Sequence, residues 1–475
     1  MQSRSKIGAK SRVFALFVLA VLGISSSALA ASAASASPQI STSGVITNLD
    51  LNSGSSTAPV IATVVNSGTT YIYVAWEDNT GGHRNTYFTR SLDNGNTWDA
   101  ITVFTGLKGN ANVQTSAVQM VAEGQYVFLT WMQGGKTAFA GSSDYGQTFS
   151  CKGASGACII ASAASGDKLT AQALTASGSD VYVGFASVGN NSVWVAASHD
   201  AGANFATAVL VSSGAFFSHG EDELASNGQY VYAVWDLVYF SRSTDYGATW
   251  STPMEMIPSY CIFQSPPGTC IGREPMISTT GPNVYVTFPM GGLHGGDRYN
   301  AMICVSNDYG ADFLPAYNLS TGSNLVNIRE VQVASYGDNV YVTSRGTAAG
   351  IKGTQQYLYV SHDDGNTWAT AYNLGVLKGP ENGFGGFGLD PANGVLFVQW
   401  PHGNPQQMWL SESTDNGDTW TTAQQVSTST GGVVGMGDPN GGQGPLIAAA
   451  QGMFFMVWQD KSSGNGDIYF TSGSE

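Results

Sequence analysis

Short runs of alternating apolar and polar residues, rich in aromatic and β-branched side chains, recur along the whole chain. Tyr73-Val74-Ala75-Trp76, Tyr232-Ala233-Val234-Trp235, Phe397-Val398-Gln399-Trp400 and Met456-Val457-Trp458 are four examples. A period of two with this composition predicts β-strands, and beyond the first thirty residues no stretch holds a helical period. A second set of runs precedes these: Pro59-Val60-Ile61-Ala62, Pro275-Met276-Ile277-Ser278 and Pro445-Leu446-Ile447-Ala448. Each unit therefore reads as a short inner strand, a second strand often ending in Trp, and two further strands joined by a hairpin.

That hairpin has a fixed sequence. Ser91-Leu92-Asp93-Asn94-Gly95-Asn96-Thr97-Trp98 recurs around Asp144, Asp245, Asp363 and Asp415, with degenerate copies around Asp200 and Asp308. The Asp carboxylate and the hydroxyls bond the turn's own backbone, the Gly supplies a positive φ, and the aromatic is buried where the chain re-enters a sheet. Asp93-Asn94-Gly95 and Asp363-Asp364-Gly365 look like half a calcium loop, but the downstream bidentate Glu is absent. The boxes lie 45 to 63 residues apart, the spacing of propeller blades of four antiparallel strands.

Inner strands begin near Pro59, Ser116, Ala171, Asp222, Pro275, Val331, Gly383 and Pro445. The expected fold is all-β: a propeller of eight blades over residues 41–475, with seven as the alternative because the second and third units are weakest. The last unit ends at Asp467-Ile468-Tyr469-Phe470 without a box or a fourth strand. Val45–Leu51 would supply that strand and close the ring, removing its exposed edge.

The repeated Ser-x-Asp-x-Gly-x-Thr-Trp resembles the Asp-box, or BNR, repeat of the sialidase superfamily. The resemblance covers nearly all of residues 41–475 and implies a β-propeller whose boxes lie away from the functional face. It leaves activity open, because such propellers include glycosidases, receptor ectodomains and assembly factors.

Arg4, Lys6, Lys10 and Arg12, an apolar run from Val13 to Leu22 and the small residues through Ala28-Leu29-Ala30 read as a signal peptide over residues 1–30. An uncleaved anchor is the rival reading, weakened by the shortness of the run. Residues 31–40 form an Ala/Ser-rich tether. The expected location is secreted or cell-surface, with no membrane span in the mature chain. Formal net charge is −15, and removing a leader with four cations makes the remainder more acidic. A nucleic-acid or anionic-lipid partner is therefore not expected. In an oxidising compartment Cys151–Cys158 and Cys261–Cys270 read as two local disulfides, zinc spacing being absent, and Cys304 reads as a buried free thiol.

Opposite the boxes, three acids share one column before the inner strand: Glu221, Glu274 and Glu330. Arg273 and Arg329 precede two of them, and Asp222 and His219 join from the fourth unit. Loops after the second strands add Glu77, Asp78, Asp236, His294, Asp297, Arg298, Arg345, His402 and Asp460. The ligand-binding set is Arg273, Arg329, Arg345, Glu221, Asp222, His294 and Arg298. Carried over from sialidases, the resemblance implies an arginine clamp of Arg273, Arg329 and Arg345. It further implies Glu274 or Glu330 activating a nucleophile, and Asp78 or Asp236 donating a proton. The signature arginine motif, however, lies after the fourth box instead of before the first, and no Tyr is well placed as nucleophile. The bland expectation is cross-blade pairing, Arg273 with Glu330 and Arg329 with Glu274. His83, His219, His294 and His402 fall in four separate units, so neither a metal nor another cofactor is expected. The leading expectation is a non-catalytic propeller that binds a glycan or cell-surface protein. An exo-sialidase-type hydrolase and a structural cell-envelope protein are the alternatives.

Overall fold

The computed structural model describes residues 41–42, 46–50, 52–80, 82–104, 115–150, 159–162, 167–187, 189–213, 223–235, 237–257, 270–292, 299–321, 325–348, 354–377, 386–390, 392–434 and 446–474. Eight antiparallel sheets follow one another along the compact unit 38–475, one per blade of a propeller. Blade 1 shows the plan: Ser56–Asn66, Thr69–Asp78, Asn85–Ser91 and Thr102–Phe104 pair in chain order from the inside out. Blades 2 and 3, the weakest in sequence, are regular four-stranded sheets, so the count is eight.

The ring closes as the unassigned early segment requires. Thr47–Asn48 pairs with the last strand, Thr47 opposite Phe470 and Asn48 opposite Tyr469, while Ser41–Thr42 pairs with Ser474 and Gly473. Leu49 then packs among Trp76, Tyr87, Val457 and Ile468 between blades 8 and 1. No helix among the described residues is long and apolar enough to cross a membrane.

The boxes do more than turn the chain. In blade 1, Ser91 Oγ donates to Asp93 Oδ1 at 2.7 Å, Thr97 N donates to the same oxygen at 2.8 Å, and Thr97 Oγ1 donates to Oδ2 at 2.6 Å. The same set recurs around Asp144, Asp245, Asp363 and Asp415. In the degenerate boxes Asn204 Nδ2 takes the Thr hydroxyl's place on Asp200, and at Asp308 only backbone N–H groups and Ser306 remain. The residue after each Asp is itself in the left-handed region, from Asn94 (φ 60) to Asn416 (φ 58), and the Gly follows it there. Two successive positive φ values match the hand of a twisted hairpin.

Three box glycines, Gly95, Gly202 and Gly310, also have to be small. A Cβ on Gly202 would run into Phe139 of the preceding blade, and one on Gly310 into Phe240. The closing aromatics meet the same rings edge-on: Phe205 on Phe139 and Phe313 on Phe240, each at 4.8 Å between centroids. A box is thus a hairpin and an inter-blade joint at once.

The joint fixes a common register. The N–H after each box Asp donates to the turn that opens the second strand, as Asn94 does to Thr70 and Asp364 to Asp338. Six residues past that acceptor, blades 1 to 5 and 7 carry Trp76, Trp131, Phe185, Trp235, Phe288 and Trp400, and the second strand of the box-less blade 8 carries Trp458, all buried. Blade 6 carries Ser344 there.

Candidate functional site

The inner strands enter the sheet through a bulge at the end opposite the boxes. The register skips between Thr57 and Val60 in blade 1, between Ser116 and Gln119 in blade 2, and between Arg329 and Gln332 in blade 6. The skipped residue lies in the left-handed region: Ala58 (φ 50), Ala117 (φ 56) and Glu330 (φ 56). In blade 5 the inner strand is split at Glu274 (φ 48), which occupies the same position. The fold therefore needs a bulge here but accepts alanine in it. Nothing in the backbone asks for Glu274 or Glu330.

Glu330 forms an ion pair with Arg345 Nη2, both side chains 11% exposed. Arg345 reaches it from the second strand, where it stands opposite Arg329. The expected cross-blade partner of Glu330, Arg273, is instead exposed, its backbone N–H bonded to the Pro289 carbonyl at 3.3 Å. The pairing across blades is thereby corrected to a pairing within blade 6. Its cause is the bulge, which turns residue 330 toward its own second strand. The side chain of Arg329 lies outside the described residues, and so the expected Arg329–Glu274 pair does too.

Asp78 does not face an open mouth. It is fully buried; its Oδ1 accepts from Thr80 N at 2.7 Å and its Oδ2 from Ser56 Oγ at 2.9 Å. Ser56 also hydrogen-bonds Asp50, which Asn52 meets from the other side. Burial raises the Asp50 carboxyl to about 6, with Ser56 opposing and the charges of Asp78 and Asp467 adding to the rise. Asp467 in turn accepts from Asn48 Nδ2 at 3.0 Å. Asp78 thus belongs to the seam where the early strands close the ring. Its neighbour Glu77, 1% exposed, pairs with Arg84 at 3.3 Å.

Elsewhere at this end, His402 meets Trp409 edge-on at 5.3 Å. Asp460 accepts from Ser429 Oγ and Ser462 N, each at 2.8 Å. Glu221, Asp222, Asp236, His219, His294, Asp297 and Arg298 lie outside the described residues, as do Cys151, Cys158, Cys261 and the side chain of Cys270. Cys304 is a buried free thiol whose pKa burial pushes up to about 12. Among the described residues no three His, Cys, Asp or Glu side chains gather into a metal-binding group.

Sequence reasoning missed a group of buried polar atoms in blade 6. Thr343 Oγ1, Ser344 Oγ, Gln355 Nε2, Gln356 Oε1 and Tyr359 OH are enclosed without a hydrogen-bond partner. The available signal was the missing aromatic at position 344.

Residues 233–435 match the family model of the BNR repeat-like domain. No curated protein sequence matches the chain. Among solved structures, a Dyadobacter fermentans protein of unknown function is 12% identical with a TM-score of 0.42, over 90% of this chain and 99% of that one. A Trypanosoma rangeli sialidase bound to the inhibitor DANA is 14% identical with a TM-score of 0.39, over 78% and 56% of the two chains. A Penicillium chrysogenum α-L-arabinanase complexed with arabinobiose is 11% identical with a TM-score of 0.41, over 80% and 99%.

Proposed function

From the premise that this chain is a BNR (Asp-box) repeat β-propeller of the sialidase-like superfamily, we propose that it is a secreted or surface-attached binding protein without catalytic activity. Its ligand is a glycan, taken at the face opposite the boxes. The observation that carries this reading is the bulge column. Glu274 and Glu330 occupy a position that Ala58 and Ala117 fill in other blades, so the bulge itself does not call for an acid. Carboxylates and a guanidinium at this face suit directional contact with sugar hydroxyls.

Two placements weigh against hydrolysis of the sialidase type. Arg345 is engaged by Glu330, where a clamp needs it on a substrate carboxylate. Asp78, the expected proton donor, is shut into the closing seam. General acid catalysis needs the donor within hydrogen-bond reach of the leaving group.

A glycan array and a fluorogenic sialoside assay test the reading together. The expected result is glycan binding that falls in Glu274→Ala, with no sialoside turnover above blank. Turnover that disappears in Arg273→Ala would overturn it in favour of the hydrolase.

A further inference from the structure

Two Asn-x-Ser triplets, Asn190-Asn191-Ser192 and Asn318-Leu319-Ser320, lie among the described residues. This pattern is the acceptor for a glycan on the Asn carboxamide nitrogen of an exported protein. Three letters alone recur by chance, and what distinguishes these two triplets is the fold around each. Asn318 ends Tyr317–Asn318, the outermost strand of blade 5, which pairs on one side only, with Ile303 and Met302. The chain leaves through a turn in which Thr321 N donates to the Asn318 carbonyl at 3.2 Å. Leu319 is buried in one cluster with Ala301 and Ile303, while Tyr317 and Thr321 are exposed. The triplet therefore sits on the outer circumference of the ring.

The carboxamide of Asn318 is held by its oxygen. Oδ1 accepts from Ser320 N at 3.0 Å and from Ser320 Oγ at 2.7 Å, which uses both of its lone pairs. Nδ2, the atom that would carry a sugar, has no hydrogen-bond partner among the described residues and is not enclosed. The Ser320 hydroxyl thus fixes the amide plane and leaves its nitrogen to solvent. Asn190 differs on each count. Its Nδ2 donates to Asp167 Oδ2 at 3.3 Å. Ser192 is 4% exposed and accepts through Oγ from Trp194 Nε1 at 2.8 Å, with no bond to the carboxamide. Ser192 already belongs to the third strand of blade 3, paired with Ser187 on one side and Ser213 on the other.

We infer that Asn318 is a glycan attachment site and that Asn190 is not. The donor is a lipid-linked oligosaccharide diphosphate, brought by a transferase on the export route. A C–N bond forms between Nδ2 and the anomeric carbon of the first sugar, and the bond from that carbon to the diphosphate oxygen breaks. The electron pair stays on the diphosphate, the Nδ2 proton goes to a base, and nothing is oxidised or reduced. A bulky hydrophilic chain at the end of an edge strand closes that edge to a second strand. It also shields Leu314 and Tyr317, each about half exposed on the same rim. The inference rests on the secreted or surface-attached reading and is independent of what the opposite face binds.

The test recovers the full chain from the cells and the medium of its own organism and maps its peptides by mass spectrometry. The expected result is an exported chain whose peptide carrying Asn318 has gained a series of sugar masses. The added mass should persist in Ser320→Thr and Asn190→Gln, and disappear in Ser320→Ala and Asn318→Gln. A purely structural role for the Ser320 turn would leave every peptide mass at its sequence value. An exported chain with bare Asn318 would overturn the site while leaving the secreted reading in place. A glycan on Asn190 with Asn318 bare would overturn the assignment between the two triplets. A bare chain held inside the cells would remove the export reading and the site together.

Discussion

Arg90 in the third strand of blade 1 donates through Nη1 to the carbonyl of Tyr145, inside the box of blade 2, at 2.7 Å. Arg242 of blade 4 does the same to Tyr309 of blade 5 at 2.8 Å. Arg90 is 9% exposed and also donates from Nε to Asp99 at 2.6 Å. A guanidinium so placed ties one sheet to the turn of the next, and the turn's left-handed residue presents the carbonyl to it.

Arg90→Met should therefore destabilise the ring by about 1–3 kcal/mol, the range for a partly buried hydrogen bond to a charged group. Urea midpoints of Arg90→Met, Arg242→Met and the double variant check this. The two sites are three blades apart and should add.

Gly202→Ala should cost more, about 2–3 kcal/mol. The new methyl meets Phe139 while φ stays at +77. Trimming the obstacle in Phe139→Leu should recover part of that loss. A double-mutant cycle with no coupling would mean that the φ requirement alone is responsible.

The box carboxylates make the fold acid-sensitive. At Asp363 the Thr367 hydroxyl and N–H, then Ser361, outweigh burial and hold the carboxyl below its usual value. A depressed pKa contributes stability that is present above the unfolded value, about 3.9, and lost as pH falls through the folded one. The thermal midpoint of the wild type should drop on the acid side of pH 4. Asp363→Ala should lower the midpoint at pH 7 and flatten that acid limb.

Asp50 acts in the opposite sense. Its pKa is raised to about 6, so its contribution is greatest below the unfolded value and lost as pH rises through about 6. Asp50→Asn keeps the hydrogen bonds without the charge. Its thermal midpoint should exceed that of the wild type above pH 6 and converge with it near pH 4. Equal midpoints at pH 8 would contradict the raised value.

The Glu330–Arg345 pair is half-sheltered and should couple measurably. A cycle of Glu330→Gln and Arg345→Met should give about 1 kcal/mol or more, above the usual exposed ion pair. The corresponding cycle with Arg273 should give none.

The blade count, the closing strand and the box turns were all legible in sequence because each rests on local rules: alternation, turn chemistry and a repeated octapeptide. The site was less legible. Asp78 looks like the end of a strand feeding an open loop, but Ser56, Thr80 and the neighbouring Asp50 enclose it. Its surroundings come partly from a residue nearly four hundred positions away, Asp467. Glu330 shares its bulge position with Glu274, but its partner is Arg345 of its own blade, which the sequence column did not show.

Ring closure has a consequence for biosynthesis. Thr47–Asn48 is made before the eight blades, and its partner Asp467–Ser474 after every other described strand. Throughout translation the first blade lacks its neighbour, and an unpaired strand edge stays open. A chain built this way must keep that edge from pairing with other chains until the two strands can meet. Shortening the growing chain by one blade should leave a species that is made but never sealed.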